Sequence, residues 1–318
     1  MKEMFSKAMT LINDSTSIYI TSHVSPDGDA VGSVFAMYLA LKNMGKDVHV
    51  IMPKYSDRFK FLEEISLAEE EVDKDAYDLC VVLDCSSIDR IAMLEGDFNK
   101  AKKKLVIDHH INSKIEADLM VVDSKSPATC QMVYEFLTSQ NILIDKDIAK
   151  YIYMGIVTDT GSFNYQSTTS KTHKIVADLL DTGIDFAYIC KMVNDTMKEN
   201  RLKLIAYAIN NIETYKNGKI KYVKISNEVL KSFNISDEDA EGIVNYLRCI
   251  EGVDIAIYAR ELDNGTYKVS MRSNGNVDVS NAAIRLGGGG HINAAGFSVS
   301  EEIDNVIDEI IEIVGVSL

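Results

Sequence analysis

The sequence lacks any apolar run long enough to cross a lipid bilayer. Its first residues, MKEMFSKAMTLINDS, mix charges of both signs and lack the apolar stretch that a signal peptide requires. Both absences argue against a membrane protein or a secreted protein. We therefore expect a cytoplasmic protein that has no membrane partner.

Cysteine is scarce and scattered. The chain has five cysteines, an odd number, and no two of them form a Cys-x-x-Cys pair. A disulfide framework and a structural zinc site both need paired cysteines, so neither is indicated. We expect five reduced core residues: Cys80, Cys85, Cys130, Cys190 and Cys249.

Basic residues are few relative to acidic ones, with 33 Lys and Arg against 48 Asp and Glu and a formal net charge of -15. A protein that coats long nucleic acid needs a basic face that releases counterions, so the charge argues against that class. A small anionic substrate is compatible with it if metal ions and a few arginines supply local positive charge. The acidic run over residues 62–78 is typical of a solvated helix face.

The composition is that of an ordered globular protein, with 46% apolar and 25% charged residues in a chain of 318. This length suffices for two domains. In the first half, runs rich in Val, Ile and Leu alternate with helical patterns, which predicts an α/β domain with a doubly wound, mostly parallel sheet. The predicted strands are SIYITSH, DVHVIM, YDLCVVLDC, KLVID and ADLMVVD, and the predicted helices are DAVGSVFAMYLALKNMG, TCQMVYEFLTSQN and DKDIAKYIYMGIVTDTG.

Residues 185–213 form a long polar stretch with few helix breakers, which predicts a helical linker. Beyond it the pattern restarts with the strand KIKYVKIS, a helix over DEDAEGIVNYLRCIEG and a hairpin in which DNG joins two alternating runs. A short helix at SNAAIRLG, a glycine cluster, the run AAGFSVS and an amphipathic helix follow. We predict a first domain over residues 1–184 and a smaller α/β domain over residues 214–318.

The six histidines include one adjacent pair, His109 and His110, which follow Asp108 at the end of an apolar run. In open α/β sheets, ligands bind just past the carboxyl ends of the strands. Three further segments, SHVSPDGDAVGS, VVLDCSS and MGIVTDTGSFNY, place acidic or histidine side chains in similar positions. The candidates from these three segments are His23, Asp27, Asp29, Asp84 and Asp159.

Each candidate taken alone has a structural explanation. Asp29 could cap the following helix, and His23 could be a hydrogen-bonded core histidine. Asp84 and Asp159 could be turn residues. Taken together these explanations are weak, because four carboxylate sites on one sheet edge would crowd like charges that only cations neutralise.

Carboxylates combined with imidazoles, without a thiolate, suit Mn²⁺ or Mg²⁺, and the histidines favour Mn²⁺ or Co²⁺. Since six or more ligands are available, we expect two ions instead of one. Two ions about 3.5 to 4 Å apart clamp a phosphoryl oxygen in enzymes that hydrolyse phosphate esters by in-line displacement.

A glycine run precedes His291 in the second domain. Gly287 to Gly290 can bring successive backbone N–H groups and an imidazole close to an anion. Arg272 in SMRSN can bind a phosphate through two N–H groups. A flexible loop is the alternative explanation of the glycines.

The four segments, in this order and with the Asp-His-His signature, resemble the DHH phosphoesterase superfamily. The later stretch VSMRSNGNVDVSNAAIRLGGGGHINAAGF resembles the associated DHHA1 domain and its Gly-Gly-Gly-His motif. The resemblance covers nearly the whole chain. Its two-domain form without sensory modules is similar to the bacterial nanoRNase and 3'-phosphoadenosine-5'-phosphate phosphatase branch, which implies an active site in the cleft between a DHH and a DHHA1 domain.

The resemblance also implies a role for each candidate. One Mn²⁺ would be bound by His23, Asp27 and Asp84, and the other by Asp29, Asp84, His109 and Asp159, with Asp84 as the bridge.

The predicted catalytic residues are Asp84, Asp108 and His110. His110 would contact the substrate phosphate and is a candidate proton donor to the leaving oxygen. Asp108 would orient a ligand imidazole. The predicted substrate-binding residues are His110, Arg272, Ser273, Gly288, Gly289, Gly290 and His291.

The implied function is a Mn²⁺-dependent phosphodiesterase that hydrolyses short oligoribonucleotides, including pApA and pGpG, to mononucleotides. A 3'-phosphatase activity on adenosine 3',5'-bisphosphate would accompany it, and Mg²⁺ or Co²⁺ could substitute for Mn²⁺. Two alternatives stay open: a cyclic-di-AMP phosphodiesterase and a nucleotide-sensing module without turnover. The expected partners are short oligoribonucleotides and nucleotides, not long nucleic acid, and a homodimer is compatible with the resemblance.

Overall fold

The computed structural model describes residues 1–52, 59–110, 113–236, 239–275, 277–300 and 303–315. The chain folds into two compact units, Met1–Thr196 and Met197–Leu318. The division lies within the stretch 185–213, for which the sequence predicts a helical linker. That stretch contains three helical segments in place of one helix: Phe186–Cys190, the π-helical turn Lys191–Asp195, and Glu199–Asn210.

The first unit is built on a five-stranded sheet. Its elements are α1 (Lys2–Asn13), β1 (Ser17–Thr21), α2 (Gly28–Asn43), β2 (Asp47–Ile51), β3 (Tyr77–Leu83), α3 (Glu95–Phe98), β4 (Ala101–Asp108), β5 (Leu119–Val122), α4 (Thr129–Ser139), α5 (Lys146–Asp159), α6 (Ser170–Asp181) and α7 (Phe186–Cys190). The strand order is β2-β1-β3-β4-β5, and every neighbouring pair is parallel. The predicted α/β class with a parallel sheet is confirmed.

Side chains along β1 alternate between two hydrophobic clusters, as the period of a strand requires. Ile18 and Ile20 lie in the larger cluster, together with residues of α1, α2, α4 and α5. Tyr19 lies in the smaller cluster, where α3 contributes Phe98. The long helices therefore cover one face of the sheet, and a short helix with irregular segments covers the other.

The direction in which the chain adds strands to the sheet reverses at β1. The chain runs from β1 outward to β2 and then returns to the other side of β1 to form β3. In doubly wound sheets with this order, ligands bind at the carboxyl ends of the strands at this reversal. The segments after β1 and β3 contain His23 and Asp84, so the topology alone places these residues at the expected ligand site.

Helices α2 and α5 pack closely because glycines lie where they meet. A Cβ atom on Gly28 would lie 2.4 Å from Thr158 Oγ1, and one on Gly155 would lie 2.8 Å from Asp29 Oδ1. No real Cβ atom tolerates such distances, so only glycine permits this approach. The packing brings the first turn of α2, with Asp29, next to the last turn of α5, with Asp159.

The second unit is a mixed sheet with helices. Its elements are α8 (Glu199–Asn210), β6 (Glu213–Tyr215), β7 (Ile220–Ile225), α9 (Asn227–Ser232), α10 (Val244–Arg248), β8 (Ile255–Glu261), β9 (Tyr267–Ser273), α11 (Ser280–Arg285), β10 (Gly289–His291), β11 (Ala294–Val299) and α12 (Ile303–Gly315). The strand order is β10-β11-β9-β8-β7-β6, in which β7 and β8 are parallel and the other pairs antiparallel. The predicted smaller α/β domain and its β8–β9 hairpin are confirmed.

Two segments of the second unit differ from simple expectation. The helix predicted over residues 237–252, of which 237 and 238 lie outside the described residues, is only the five-residue α10. Gly242, at φ +77°, interrupts the helical backbone before it. The glycine cluster, for which a flexible loop is the alternative explanation, includes the short strand β10.

Among the described residues, no helix combines the length and the apolar character needed to cross a membrane.

Candidate metal centre

The six predicted metal ligands lie together at the carboxyl edge of the first sheet. His23 follows β1 by two residues, and Asp84 and His109 directly follow β3 and β4. Asp27 and Asp29 begin α2, and Asp159 is the last residue of α5.

Two groups of three side chains bring their ligand atoms within 4.8 Å of one another. The first group is His23, Asp27 and Asp84, and the second is Asp29, His109 and Asp159. A further group joins Asp84 and His109 with His110.

Asp84 belongs to the first group and also lies close to His109 of the second. Its Oδ2 lies 3.8 Å from His23 Nε2, and its Oδ1 lies 3.5 Å from His109 Nε2. The residue is buried, and its backbone has φ +52°, a region that aspartate tolerates better than most residues. Each carboxylate oxygen therefore faces a different group, which is the arrangement that a bridging ligand needs.

Both histidines are held through Nδ1. The Nδ1–H of His23 donates to the Val24 carbonyl at 2.7 Å, and that of His109 donates to the Ser126 carbonyl at 3.2 Å. Nε2 of each ring is therefore left as an acceptor, as is usual for metal-binding histidines. His109 Nε2 lies 3.4 Å from Asp159 Oδ2.

Backbone N–H groups hold the two aspartates of α2. Asp27 caps α2 by accepting from the N–H groups of Asp29 and Ala30. Asp29 instead accepts from the first N–H groups of α4, those of Thr129 at 2.6 Å and Cys130 at 2.8 Å. The explanation of Asp29 as the cap of its own helix is therefore wrong, because Asp27 is that cap.

Thr129 is a site residue that the sequence analysis missed. Besides the bond from its N–H to Asp29, its hydroxyl donates to Asp84 Oδ1 at 3.1 Å. One residue at the start of α4 thus holds a carboxylate of each group. No sequence motif indicates this residue, because its partners lie 45 and 100 residues away in sequence.

Crowding of carboxylates shapes the electrostatics of the cluster. Burial, followed by the charges of neighbouring aspartates, raises the pKa of Asp29 and Asp84. Burial also raises the pKa of Asp159, to about 7. Burial lowers the pKa of His109, but Asp84 and Asp159 outweigh it, so that this pKa is raised. The cluster therefore favours a bound cation.

The donor set suits divalent metal ions. Two ligand atoms about 2.0–2.2 Å from a common ion lie roughly 3 Å apart, close to the 3.4–3.8 Å that separates imidazole and carboxylate atoms here. The four aspartates of the two groups would be balanced in formal charge by two divalent cations. The residues present therefore fit a pair of ions with hard or borderline character.

His110 differs from His109 in its partner. Its Nδ1–H donates to Asp108 Oδ1 at 2.7 Å, and its backbone N–H donates to the same oxygen at 3.2 Å. The hydrogen bond to the buried Asp108 raises the pKa of His110. Asp108 therefore orients His110 and not the predicted metal ligand His109.

The cluster opens into a pocket. Its walls include five of the predicted ligands together with His110, and also three residues that the sequence analysis did not assign to the site: Cys85, Ser86 and Arg90. Arg90 is the one Lys or Arg among these lining residues. It follows Asp84 by six residues, a spacing that carries no recognisable signal.

The predicted substrate residues of the second unit lie around β9 and β10. Arg272 is partly buried, and its Nη1 donates to the Met271 carbonyl at 2.9 Å. Ser273 is buried, donates its hydroxyl to the Val277 carbonyl at 2.6 Å, and accepts from Asn293 Nδ2.

The predicted glycines have different surroundings. A Cβ on Gly288 would lie 2.2 Å from the Gly296 carbonyl oxygen, and one on Gly290, at φ +143°, would lie 2.4 Å from that of Ala294. A Cβ on Gly289 would meet no described atom within 4 Å. The backbone of His291 lies in β10, but its side chain is outside the described residues.

Two family models match the chain. The DHH family, N-terminal domain, matches residues 17–156, and the DHHA1 domain matches residues 217–315. The chain is 30% identical over 302 residues to a Thermus thermophilus protein named bifunctional oligoribonuclease and PAP phosphatase NrnA, and the match covers 93% of this chain and 89% of that protein.

Solved structures show the same fold. The crystal structure of an exopolyphosphatase-related protein from Bacteroides fragilis has a TM-score of 0.90 at 27% identity, covering 99% of this chain and 96% of that one. The crystal structure of RecJ in complex with Mn²⁺ from Thermus thermophilus has a TM-score of 0.59 at 12% identity, covering 100% of this chain and 55% of that one.

Proposed function

Because this chain belongs to the DHH family and is a phosphoesterase that carries a DHHA1 domain, we propose that it hydrolyses short oligoribonucleotides to mononucleotides with two bound Mn²⁺ ions. The observation that carries the proposal is the position of Asp84, with one carboxylate oxygen toward each ligand group. A carboxylate placed in this way is the common ligand of two-metal phosphoesterases.

In this proposal His23, Asp27 and Asp84 hold one ion, and the other is held by Asp84 with Asp29, His109 and Asp159. Two divalent cations would supply Lewis-acid activation of water and would neutralise charge on the phosphoryl group. Mg²⁺ or Co²⁺ would substitute for Mn²⁺, since oxygen and imidazole ligands also suit these ions.

His110 serves as the proton donor to the leaving oxygen. Its Nδ1–H is committed to Asp108, so Nε2 is the ring nitrogen left for the substrate in a side chain that lines the pocket. The hydrogen bond to Asp108 favours the protonated imidazole and fixes its orientation. Asp108 thus acts through His110, as a positioning residue.

The second unit supplies substrate-binding residues. Arg272 binds a substrate phosphate through its guanidinium group, and the backbone of Gly288 to Gly290 and the imidazole of His291 contribute further donors. Ser273 supports them indirectly, because its hydroxyl already joins Val277 to Asn293 and so fixes the end of β9.

A second activity, removal of the 3'-phosphate of adenosine 3',5'-bisphosphate, is favoured by the name of the Thermus thermophilus relative, which includes PAP phosphatase. The same metal groups would serve both reactions, because each breaks a phosphate ester bond to a ribose oxygen.

The test is a comparison of turnover with Mn²⁺ on pApA, a five-nucleotide RNA, adenosine 3',5'-bisphosphate and cyclic di-AMP. The proposal predicts fastest hydrolysis of the two linear RNAs and complete loss of turnover with a chelator. Fastest turnover of cyclic di-AMP would move the assignment to a cyclic-dinucleotide phosphodiesterase. Binding of these ligands without turnover would indicate a sensing module.

The assignment of Arg272 has its own test. Arg272→Ala should raise KM for pApA about tenfold or more, because a charged hydrogen bond to phosphate is lost, while the bound metal content stays unchanged. Arg272→Lys should recover part of the loss. A fall in bound Mn²⁺ in the alanine variant would show that the division between metal and substrate residues is wrong.

A further inference from the structure

Two basic residues lie at or beside the wall of the metal pocket without any role in the ligand groups. The first, Arg90, lines the pocket, and its side chain is exposed. Among the residues that the structure describes, the guanidinium group of Arg90 has no hydrogen-bond or ion-pair partner. It is therefore available to a ligand that enters the pocket.

The backbone of Arg90 is fixed against the segment that carries His23. The Val24 N–H donates to the Arg90 carbonyl at 2.7 Å, and the Ala92 N–H donates to the Ser22 carbonyl at 2.8 Å. Ile91 forms a β-bridge with His23 between them. Because these contacts bracket Arg90, its Cα is held at a set position relative to a predicted metal ligand.

Lys114 lies beside the same wall. Its N–H donates at 2.7 Å to the carbonyl of Ser86, a residue that lines the pocket. The Lys114 side chain is exposed and, within the described part of the chain, has no carboxylate partner.

Three lysines at the amino end of β4, the end opposite the pocket, are paired with aspartates. Lys100, Lys102 and Lys103 each contact an aspartate, at 2.7 to 2.8 Å. Arg90 at the pocket wall and Lys114 beside it have no such partner among the described residues, so both are available to an anion that enters the pocket.

Neutralisation of the aspartate cluster is the simpler explanation of Arg90, but the geometry does not support it. No described carboxylate oxygen lies within the 4.0 Å of Arg90 that would define an ion pair. The pocket walls contain three of the aspartates, Asp27, Asp84 and Asp159, and Arg90 is paired with none of them.

We propose that Arg90 and Lys114 bind a second phosphate of the substrate, distinct from the phosphate that is hydrolysed. This inference rests on the proposed function and names the substrate class within it: oligonucleotides with a terminal phosphate and nucleoside bisphosphates. The planar guanidinium group of Arg90 binds two phosphate oxygens at once, and the Lys114 ammonium group adds a mobile point charge.

The experiment compares kcat/KM for pApA and for ApA, which lacks the terminal phosphate, in the presence of Mn²⁺. The wild-type protein should prefer pApA by about tenfold or more, as expected for charged hydrogen bonds to phosphate. Arg90→Gln should remove most of this preference through KM for pApA. Arg90→Lys should keep part of it, and Lys114→Gln should reduce it by roughly threefold.

The matched control is Lys174→Gln, which removes an exposed lysine of α6 that does not line the pocket. It makes the same change in net charge as Lys114→Gln and should keep the wild-type ratio. An unchanged ratio in Arg90→Gln would overturn the inference, and so would an equal reduction in Lys174→Gln.

Failure of the proposed function would be recognised separately. If the wild-type protein hydrolyses neither dinucleotide, binding of adenosine 3',5'-bisphosphate and adenosine 3'-monophosphate is measured by calorimetry with Mn²⁺. The inference then requires that Arg90→Gln weaken binding of the bisphosphate by about tenfold more than binding of the monophosphate. Equal weakening of both ligands would overturn it.

Discussion

The polar residues at the edge of the first sheet and those around β9 and β10 are held in different ways. In the first unit, His23 and His109 use Nδ1 for a backbone carbonyl and leave Nε2 toward the carboxylates. In the second unit, the Ser273 hydroxyl is already engaged by two neighbours, and Gly290 packs against Ala294. The contacts of the first unit therefore leave atoms for a ligand, whereas those of the second unit largely stabilise its sheet.

The difference shows what a motif residue can be expected to do. Where the structure fixes one atom of a side chain and leaves another without a partner, the residue type reports the chemistry of a ligand. Where all polar atoms are engaged, the residue type reports local structure. A Cβ on Gly289 would meet no described atom within 4 Å. By this criterion Gly289 is a better candidate for substrate contact than Gly288 or Gly290.

The largest effect is expected for Asp84→Asn, which removes the carboxylate shared by the two ligand groups. Turnover should fall by about a thousandfold or more, since both ions depend on it. The fold should survive, because asparagine has the same shape and can still accept the hydrogen bond from Thr129. Thermal unfolding of the metal-free protein checks the fold, and near-normal turnover with Mn²⁺ would contradict the bridging role.

The next largest effect is expected on the pH dependence of the folding stability of the first unit. Burial raises the pKa of Asp29 and Asp84, and that of Asp159 to about 7, above the value of about 3.9 in an unfolded chain. Without metal, the stability that Asp159 contributes is therefore complete below about pH 4 and is lost as the pH rises through about 7, and the raised pKa values of Asp29 and Asp84 act in the same direction.

A bound divalent cation favours the charged carboxylates and removes this penalty. The rise in Tm produced by Mn²⁺ should therefore be larger at about pH 8 than at about pH 5.5, where the carboxylates compete with protons for their ligand atoms. Calorimetric scans at the two pH values measure the difference. A rise in Tm that does not depend on pH would mean that these carboxylates do not bind the metal.

Thr129 allows the hydrogen bond to the bridging residue to be tested alone. Thr129→Val keeps the shape and the N–H that binds Asp29 but removes the hydroxyl that donates to Asp84. Turnover should fall by roughly ten- to thirtyfold, in line with the loss of a hydrogen bond to a charged group. Thr129→Ser retains the donor and should keep most of the activity. If both variants lose activity equally, packing and not the hydroxyl is responsible.

The smallest effects are expected in β10, where two neighbouring glycines separate structure from substrate contact. Gly290→Ala places a Cβ 2.4 Å from the Ala294 carbonyl oxygen at a positive φ and should lower Tm by roughly 5 °C. Gly289→Ala has room for its Cβ and should leave Tm unchanged while raising KM for pApA a few-fold. An unchanged KM in a folded Gly289→Ala protein would remove β10 from the substrate site.

Most of the first unit could be predicted from the sequence because strand ends and ligand candidates coincide. Parallel strands bring their carboxyl ends to one edge, so Asp84 and His109 are neighbours whatever the loops do. Helix α1 was not predicted, although Phe5, Ala8 and Ile12 recur at helical spacing, because its charged residues obscured the pattern. The close packing of α2 on α5 was also not predictable, since the glycines reveal it only once both helices are placed.

The parts of the site that could not be predicted depend on contacts distant in sequence. Thr129 and Arg90 belong to no recognised spacing, and their positions at the site follow from where α4 and the segment after β3 come to lie. The partner of Asp108 was equally open, because Asp108 precedes two histidines and only the structure shows that His110 is the one it binds.

The central claim, that two metal groups share Asp84, is tested most directly by anomalous diffraction at the manganese edge from crystals grown with Mn²⁺. The account predicts two anomalous peaks, one among His23, Asp27 and Asp84 and the other among Asp29, His109 and Asp159, with a different oxygen of Asp84 contacting each peak. A single peak, or two peaks of which Asp84 contacts only one, would contradict it.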